Sequence, residues 1–495
     1  MEPQSGSMVT AGKVGKSPME SVGEFSGLAS DSREVKPGYL FAALSGTRAN
    51  GAAFMSDAVR RGAVAVLARP EARADAEKLG VRFIADENPR LRLARLAANF
   101  FAAQPKTVAA ITGTNGKTSV SVFLRQIWAR EGFKSASMGT IGVVTPSGEI
   151  SLAHTTPDPI EVHRILKRLA VEGVDHLALE ASSHGLDQYR LDGVKIAAAG
   201  FTNLTRDHLD YHKDIADYLA AKLRLVTEIV QPGGVVAVNA DDEYSKAFIT
   251  AALSRDLKLV TVGAAGETLK LVARVAHGDG QTLQVLHNGK VHKIALPLAG
   301  DFQASNALVA AGLAIGLGDV PENVFAALGH LKGAAGRLEK VAFAKSGAPI
   351  YVDYAHTPDA LETVLKAIRP HVDGKLRVVF GCGGDRDKGK RPLMGAAAAR
   401  FADDVTVTDD NPRSEDPARI RKEILGGAPD ARQIGDRALA IDRVIASLGS
   451  GDILVIAGKG HEAGQIVGAE TRPFLDKDEA VKAAVSHGGR AAEAV

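Results

Sequence analysis

Short apolar runs, each followed by a polar loop and then by a stretch of helical periodicity, recur along most of the chain. In the first hundred residues the runs are Tyr39–Leu44 and Ala63–Leu67, with helical stretches at Ala52–Arg61 and Pro89–Ala103. Gln104-Pro105 breaks the last of these, because a proline pushes the residue before it out of helical geometry. The pattern restarts with Thr107–Thr112 and continues through His176–Glu180, Ile196–Phe201 and Gly234–Asn239. Strands alternating with helices argue for a parallel sheet. From Leu257 to Leu296 the pattern changes to successive strands, and His287-Asn288-Gly289-Lys290 between alternating runs predicts a hairpin. A helix is predicted over Ser305–Leu317. From about Gly336 a further alternating set begins, with strands Ile350–Asp353, Arg377–Phe380, Val405–Thr408 and Ile453–Ala457. This reads as a second doubly wound α/β unit.

Length agrees with this segmentation. At roughly 150 residues per domain, 495 residues make about three domains. The chain is 45% hydrophobic and 24% charged, which excludes disorder, collagen and a small disulfide scaffold. Sixty basic residues face 58 acidic ones, a formal net charge of +2. That balance offers no chain-wide field for nucleic acid or an anionic membrane. The single cysteine, Cys382, forms no internal disulfide and builds no cysteine zinc site, so a reducing, cytoplasmic compartment is expected. Set between Gly381 and Gly383 with no partnered base nearby, it reads as a buried structural thiol. No run of about 18 apolar residues suggests a membrane span, and the first twenty residues lack an apolar signal core.

The sharpest chemical signal is Gly113-Thr114-Asn115-Gly116-Lys117-Thr118, between the strand Thr107–Thr112 and a helical pattern. Glycines let backbone N–H groups approach a polyphosphate, and the helix N-terminus adds partial positive charge. Lys117 can bridge β- and γ-phosphates, and the Thr118 hydroxyl can reach Mg²⁺. The usual phosphate loop asks for glycine five positions before Gly116, where Ile111 stands, so this loop is shorter.

That shortened loop resembles those of the Mur ligases and folylpolyglutamate synthetases, ATP-dependent amide-forming enzymes. Further segments match the Mur ligase family: Glu180–Leu186, Asn203–His212, Asp353–Pro358, Gly381–Lys390 and Asp410–Arg413. The matches run from about Ser30 to Glu462. The resemblance implies an α/β fold of three domains: a central ATPase-type parallel sheet with a small antiparallel sheet, and a C-terminal Rossmann-like domain. Expected boundaries are a flexible tail at 1–19, a UDP-sugar domain at 20–105, an ATP domain at 106–336 and an amino-acid domain at 337–495. Closure is expected to hinge near residues 105 and 336.

The resemblance also implies residue roles. Gly113, Thr114, Asn115, Gly116, Lys117, Thr118, Ser119, Asn306, Arg337 and Asp353 would bind ATP. Thr118, Glu180, His208 and Lys222 would hold Mg²⁺, with Lys117, His208 and Lys222 catalytic and Lys222 carbamylated. Read alone, Lys222 would cover the edge of a helical stripe (Leu219, Leu223, Val226 and Val230 in a helix over Ile215–Val230) with its head in water. Ser30, Ser32, Thr47, Arg48 and Ala49 would meet the uridine end of a UDP-sugar. Thr155, Thr156, Ser182, Gln188 and Arg190 would hold its muramoyl dipeptide, while His154 departs from the family's asparagine. Arg386, Asp410, Asn411, Pro412, Arg413, Gly458 and Glu462 would form a diaminopimelate pocket. There Arg413 would grip the second carboxylate as a fork and Glu462 would pair with the ammonium.

The implied activity is addition of meso-2,6-diaminopimelate to the D-glutamate of UDP-N-acetylmuramoyl-L-alanyl-D-glutamate through an acyl phosphate, serving peptidoglycan synthesis and hence cell shape and division. The expected cofactors are ATP and Mg²⁺, the partners small molecules, and the working form a monomer. Rival readings are a lysine-adding ligase, a folylpolyglutamate synthetase and a nucleotide-regulated binding protein without turnover.

Overall fold

The computed structural model describes residues 25–46, 50–208 and 210–492. The tail at 1–19 and the loop Thr47, Arg48 and Ala49 lie outside the described residues. The chain divides between Ala102 and Ala103 into two compact units.

The first unit is a four-stranded parallel sheet laid down in chain order: Gly27–Ala29, Tyr39–Ala42, Ala63–Ala68 and Arg82–Ala85. Its core is small, built on Phe41, Met55, Val66 and several alanines. The helix Pro89–Phe101 opens with Asn88 capping Leu91 N–H and closes at Ala102, whose φ is +52°.

The second unit carries two large sheets and a two-stranded antiparallel ribbon, Gly464–Val467 with Glu470–Pro473. The larger has eleven strands. Its parallel centre runs Lys258–Gly263, Val230–Asn239, Ile196–Phe201, Thr107–Thr112, His176–Glu180 and Ser135–Gly139. These strands are apolar on both faces because helices cover both. On one face the helices Lys117–Arg130 and Asp301–Leu317 pack around Phe123, Trp128 and Leu308; on the other, Pro159–Val171 and Ser245–Ser254 pack around Leu166 and Phe248. The predicted antiparallel strands are hydrogen-bonded into one edge of this sheet. Leu269–His277, Gly280–His287 and Lys290–Leu296 follow in order, and the last two join at Asn288 (φ +49°) and Gly289 (φ +77°). Positive φ at both positions is what the Asn-Gly pair foretold.

One predicted helix is shorter than its apolar stripe suggested. The α-helix is Ile215–Arg224; Leu225–Ile229 widens into a π turn, and Val230 already pairs with Ile196 in the sheet. Sheet pairing of Val230 overrides the helical period, and Arg255 donates to the Val226 carbonyl at 2.6 Å.

The smaller sheet is parallel through Arg432–Gln433, Asp404–Val407, Leu376–Phe380, Ile453–Ala457 and Pro349–Asp353. Glu339–Phe343 and Arg490–Ala491 close it antiparallel. Strand order reverses between Leu376–Phe380 and Pro349–Asp353, so loops at the carboxyl ends of these strands open a crevice. Gly336, at the junction between the two lobes, has φ +64°, and a Cβ there would lie 2.3 Å from His461 N.

Candidate functional site

The phosphate loop leaves the strand Thr107–Thr112 with Gly113 at φ +145° and Gly116 at φ +85°. Ile111 is buried in that strand, so the loop is indeed a short one. It is braced by the segment after the neighbouring strand. Asn203 O accepts from Thr114 N at 2.8 Å, Asn203 Oδ1 from Asn115 N at 3.0 Å, and Thr202 Oγ1 donates to Asn115 O at 2.6 Å. Lys117, Thr118 and Ser119 open the following helix, with Thr118 and Ser119 buried. The Lys117 ammonium donates to the Gly113 and Thr114 carbonyls at 2.9 and 2.7 Å. Burial pushes it below the usual lysine range; Glu180 opposes the shift and Arg337 reinforces it.

Lys222 is 1% exposed, so its head does not reach water as the stripe alone suggested. Its ammonium donates to the same Gly113 carbonyl at 2.7 Å and stands 4.4 Å from the centre of the Tyr218 ring. Burial, with Lys117 acting in the same direction, holds it well below the ordinary lysine range. Tyr218 meets Thr114 Oγ1 at 3.2 Å and edges His208, 6.1 Å between ring centres. His208 has φ +53°, and burial pushes its imidazole down, with Asp207 opposing.

Glu180 ends its strand and is 1% exposed. Its two oxygens accept from Thr140 N at 2.8 Å and Thr140 Oγ1 at 3.1 Å. Thr140 was not foreseen; it follows the strand Ser135–Gly139, whose Gly139 would crowd Glu180 with any side chain. Among the described residues no three His, Cys, Asp or Glu side chains converge as a metal cluster. Glu180 and His208 therefore need hydroxyl, phosphate or water oxygens to complete any such site.

Thr155, Thr156, Ser182, Gln188 and Arg190 form one network with Glu180. Thr155 meets Thr140 Oγ1 at 3.1 Å, and Thr156 Oγ1 donates to Glu180 O at 2.9 Å. Ser182 Oγ caps Gly185 N–H and donates to Thr156, while Arg190 holds Thr156 O at 2.6 Å and Gln188 Oε1 at 2.8 Å. Thr156 is fully engaged inside the protein and positions its neighbours. His154 is exposed. In the first unit Ser32 is buried and Ser30 half-buried, with Asp31 capping the turn between them.

Asn306, on the helix Asp301–Leu317, lies against Gly116 and lines a pocket of about 250 Å³ with Thr202, Asn203, Asn239, Phe302 and Ser305. Arg337 stacks on Tyr354, 4.9 Å from the ring centre, and is an electrostatic neighbour of both Lys117 and Asp353. Asp353, expected as a ribose contact, uses both oxygens on backbone: Leu338 N and Ala355 N donate to it at 2.7 Å each.

The remaining group gathers at the carboxyl ends of the smaller sheet. Asn411 Nδ2 donates to Glu462 at 3.0 Å, and Lys459 donates to Asn411 Oδ1 at 3.1 Å and Gly464 O at 2.6 Å. Glu462, expected to pair with an ammonium, accepts from Asn411 and has the Lys459 ammonium 3.6 Å away. Lys459 is fully buried and went unremarked in the sequence, although a cation between Gly458 and Gly460 at a strand end was a visible signal. Asp410 is buried, Gly458 (φ +114°) sits against it, and burial pushes its carboxyl up, with Arg437 and Lys459 opposing. Pro412 is buried beside them, and Arg413, at φ +51°, donates from Nη1 to Gly384 O at 2.8 Å. Arg386 is exposed on the adjoining loop. Cys382 is buried against Met394, and burial pushes its thiol up to about 12, which leaves it structural.

A phosphate loop at the carboxyl edge of one parallel sheet, with a polar strand-end pocket on a second sheet, defines a multidomain α/β nucleotide-dependent enzyme. The chain belongs to the Mur ligase family. Three of its profiles match in order: "Mur ligase family, catalytic domain" over residues 24–101, "Mur ligase middle domain" over 111–314 and "Mur ligase, glutamate ligase domain" over 336–460. The UDP-N-acetylmuramoyl-L-alanyl-D-glutamate–2,6-diaminopimelate ligase of Bradyrhizobium diazoefficiens is 56% identical over 94% of this chain and 95% of its own length. Its namesake from Caulobacter vibrioides is 53% identical over 92% and 95%. A solved structure of an enzyme of that name is 34% identical, covers 93% of this chain and 95% of its own, and superposes with a TM-score of 0.72. The MurF ligase of Thermotoga maritima shares the fold at 17% identity and a TM-score of 0.59, over 95% of this chain and 99% of its own.

Proposed function

We propose that this chain joins meso-2,6-diaminopimelate to the D-glutamate of UDP-N-acetylmuramoyl-L-alanyl-D-glutamate, driven by conversion of ATP to ADP and phosphate. It does so in the cytoplasm, as a monomer, in peptidoglycan precursor synthesis. The observation that carries this reading is a phosphate loop paired with a strand-end pocket that holds both a guanidinium, Arg413, and carboxylates, Asp410 and Glu462. A diamino diacid offers the complementary carboxylate and ammonium; lysine offers only the second.

Residues 20–105, through Ser30, Ser32, Thr47, Arg48 and Ala49, take the uridine end. Thr155, Ser182, Gln188 and Arg190, with Thr156 behind them, orient the dipeptide. Residues 106–336 take ATP: the loop Gly113–Ser119 cradles phosphate, Asn306 borders the base, and Arg337 and Asp353 reach the phosphates and ribose. Residues 337–495 select the amino acid through Arg386, Asp410–Arg413, Gly458 and Glu462. The substrate carboxylate attacks the γ-phosphorus and ADP leaves. The neutral amine of diaminopimelate then attacks the acyl carbon, phosphate departs, and the new nitrogen sheds a proton. Lys117 neutralises charge on the transferred group, and the rest is positioning.

Thr118, Glu180 and His208 suit Mg²⁺. The Glu180 carboxylate is buried; among the described residues its hydrogen bonds come only from Thr140 and no ion pair within 4 Å engages it, the Lys117 ammonium acting on it from farther away. Bound there, Mg²⁺ supplies charge neutralisation on the phosphoryl group. An unmodified Lys222 ammonium would repel that ion. Burial lowers its pKa and so favours the neutral amine, which can add to CO₂ and lose a proton to become a carbamate ligand. Carbon-13 NMR of the active enzyme under labelled CO₂ should show that carbamate, and its absence would remove Lys222 from the metal set.

The central test is phosphate release from ATP with the UDP-sugar dipeptide, plus diaminopimelate or lysine. Release should need the dipeptide and diaminopimelate together. Equal turnover with lysine, or release that ignores the dipeptide, would overturn the assignment.

A further inference from the structure

Arg437 and Asp476 are the first residues of the helices Arg437–Ala446 and Asp476–Ser486, and both side chains are 0% exposed. The guanidinium grips the carboxylate as a fork, Nε to Oδ1 at 2.6 Å and Nη2 to Oδ2 at 2.7 Å. It has donors left over, and they go to backbone. Nη2 donates to Ala457 O at 3.0 Å, and Nη1 reaches Asp409 O at 3.5 Å. Ala457 ends the strand that delivers Gly458–Glu462, and Asp409 precedes Asp410–Arg413. One side chain therefore ties both pocket loops to two helices. The loops meet at close quarters, because a Cβ on Gly458 would lie 2.8 Å from Asp410 Oδ2. A shift of a few tenths of an ångström in either loop would change that contact.

We propose that the buried Arg437–Asp476 pair is a positioning device for the amino-acid pocket, setting the spacing between the Asp410–Arg413 and Gly458–Glu462 loops. The inference rests on the reading of those loops as the amino-acid site. A purely structural role explains it poorly. A buried ion pair adds little net stability over a well-packed apolar pair, whereas only the planar fork can bind a carboxylate and two carbonyls at once.

The test uses the full chain and three variants: Arg437→Lys, Asp476→Asn, and Arg437→Met with Asp476→Leu. The apolar pair removes the charge together with its partner, so it keeps the fold; lysine keeps the charge and loses the fork. In each, KM for diaminopimelate should rise at least tenfold while KM for ATP stays within twofold, with melting followed by circular dichroism. An unchanged KM for diaminopimelate in the folded variants, or all KM values rising together, would overturn the positioning role. Arg413→Ala separates the two levels. If it leaves diaminopimelate use intact, the pocket reading falls and takes this proposal with it. If it abolishes that use while the Arg437 variants behave as wild type, only the positioning role falls.

Discussion

Asp353 separates a ligand contact from a structural clamp. It ends a strand of the smaller sheet at 7% exposure, and both carboxylate oxygens receive backbone N–H groups at 2.7 Å. One donor belongs to Leu338, whose φ of +48° is costly for a residue with a Cβ. Asp353→Ala leaves two buried N–H groups without acceptors. At about 1–3 kcal/mol each, the loss is about 2–6 kcal/mol. Freed from its clamp, Leu338 would relax and carry Arg337 away from Lys117. Asp353→Asn keeps one acceptor oxygen and should lose about half as much. Urea unfolding followed by circular dichroism measures the stability, and KM for ATP measures the displacement of Arg337. Alanine should lower both stability and ATP affinity, and asparagine should fall between. An alanine variant within about 1 kcal/mol of wild type would refute the clamp. A raised KM without lost stability would leave a ribose contact alone.

Glu131, at the end of the helix Lys117–Arg130, is pushed up to about 7 by burial and by Asp319 beside it. A carboxyl whose pKa is raised on folding is lost to stability as pH climbs from its ordinary value, about 4.5, through 7. Discounted for its partial exposure, the effect is about 1–2 kcal/mol, so Glu131→Gln should lose less stability between pH 5 and pH 8; parallel unfolding curves for the two proteins would contradict this. Gly336→Ala must push its Cβ against His461 N at a positive φ, so it should cost about 2 kcal/mol and raise KM for ATP and diaminopimelate together. A wild-type melting temperature would show that the lobes yield at no cost. Arg413→Ala should raise KM for diaminopimelate about a hundredfold and leave ATP binding intact, which isothermal titration with ATP would check.

What the chain determined locally is its alternation of strand and helix, the shortened phosphate loop, the Asn-Gly hairpin and the stops at Gln104-Pro105. These signals depend on neighbours a few residues away, through steric limits on φ and ψ and the period of side chains. The order of motifs also marked Lys117, Glu180, Asp410 and Arg413 as chemically interesting. Other features were decided only by contacts between distant segments. Val230 left its helical period because Ile196 offered a sheet partner. Lys222 became a buried neighbour of Gly113, 109 positions away, so its burial belongs to the fold and not to its helix. Thr140 acquired a role by facing Glu180, and Asp353 took up the backbone N–H of Leu338, 15 positions away. Arg437 and Asp476 meet across 39 positions, and neither has a local pattern that announces the other. A sequence lays out which groups are available along the chain; their solvation and their partners, which set charge and reactivity, exist only once the strands have packed.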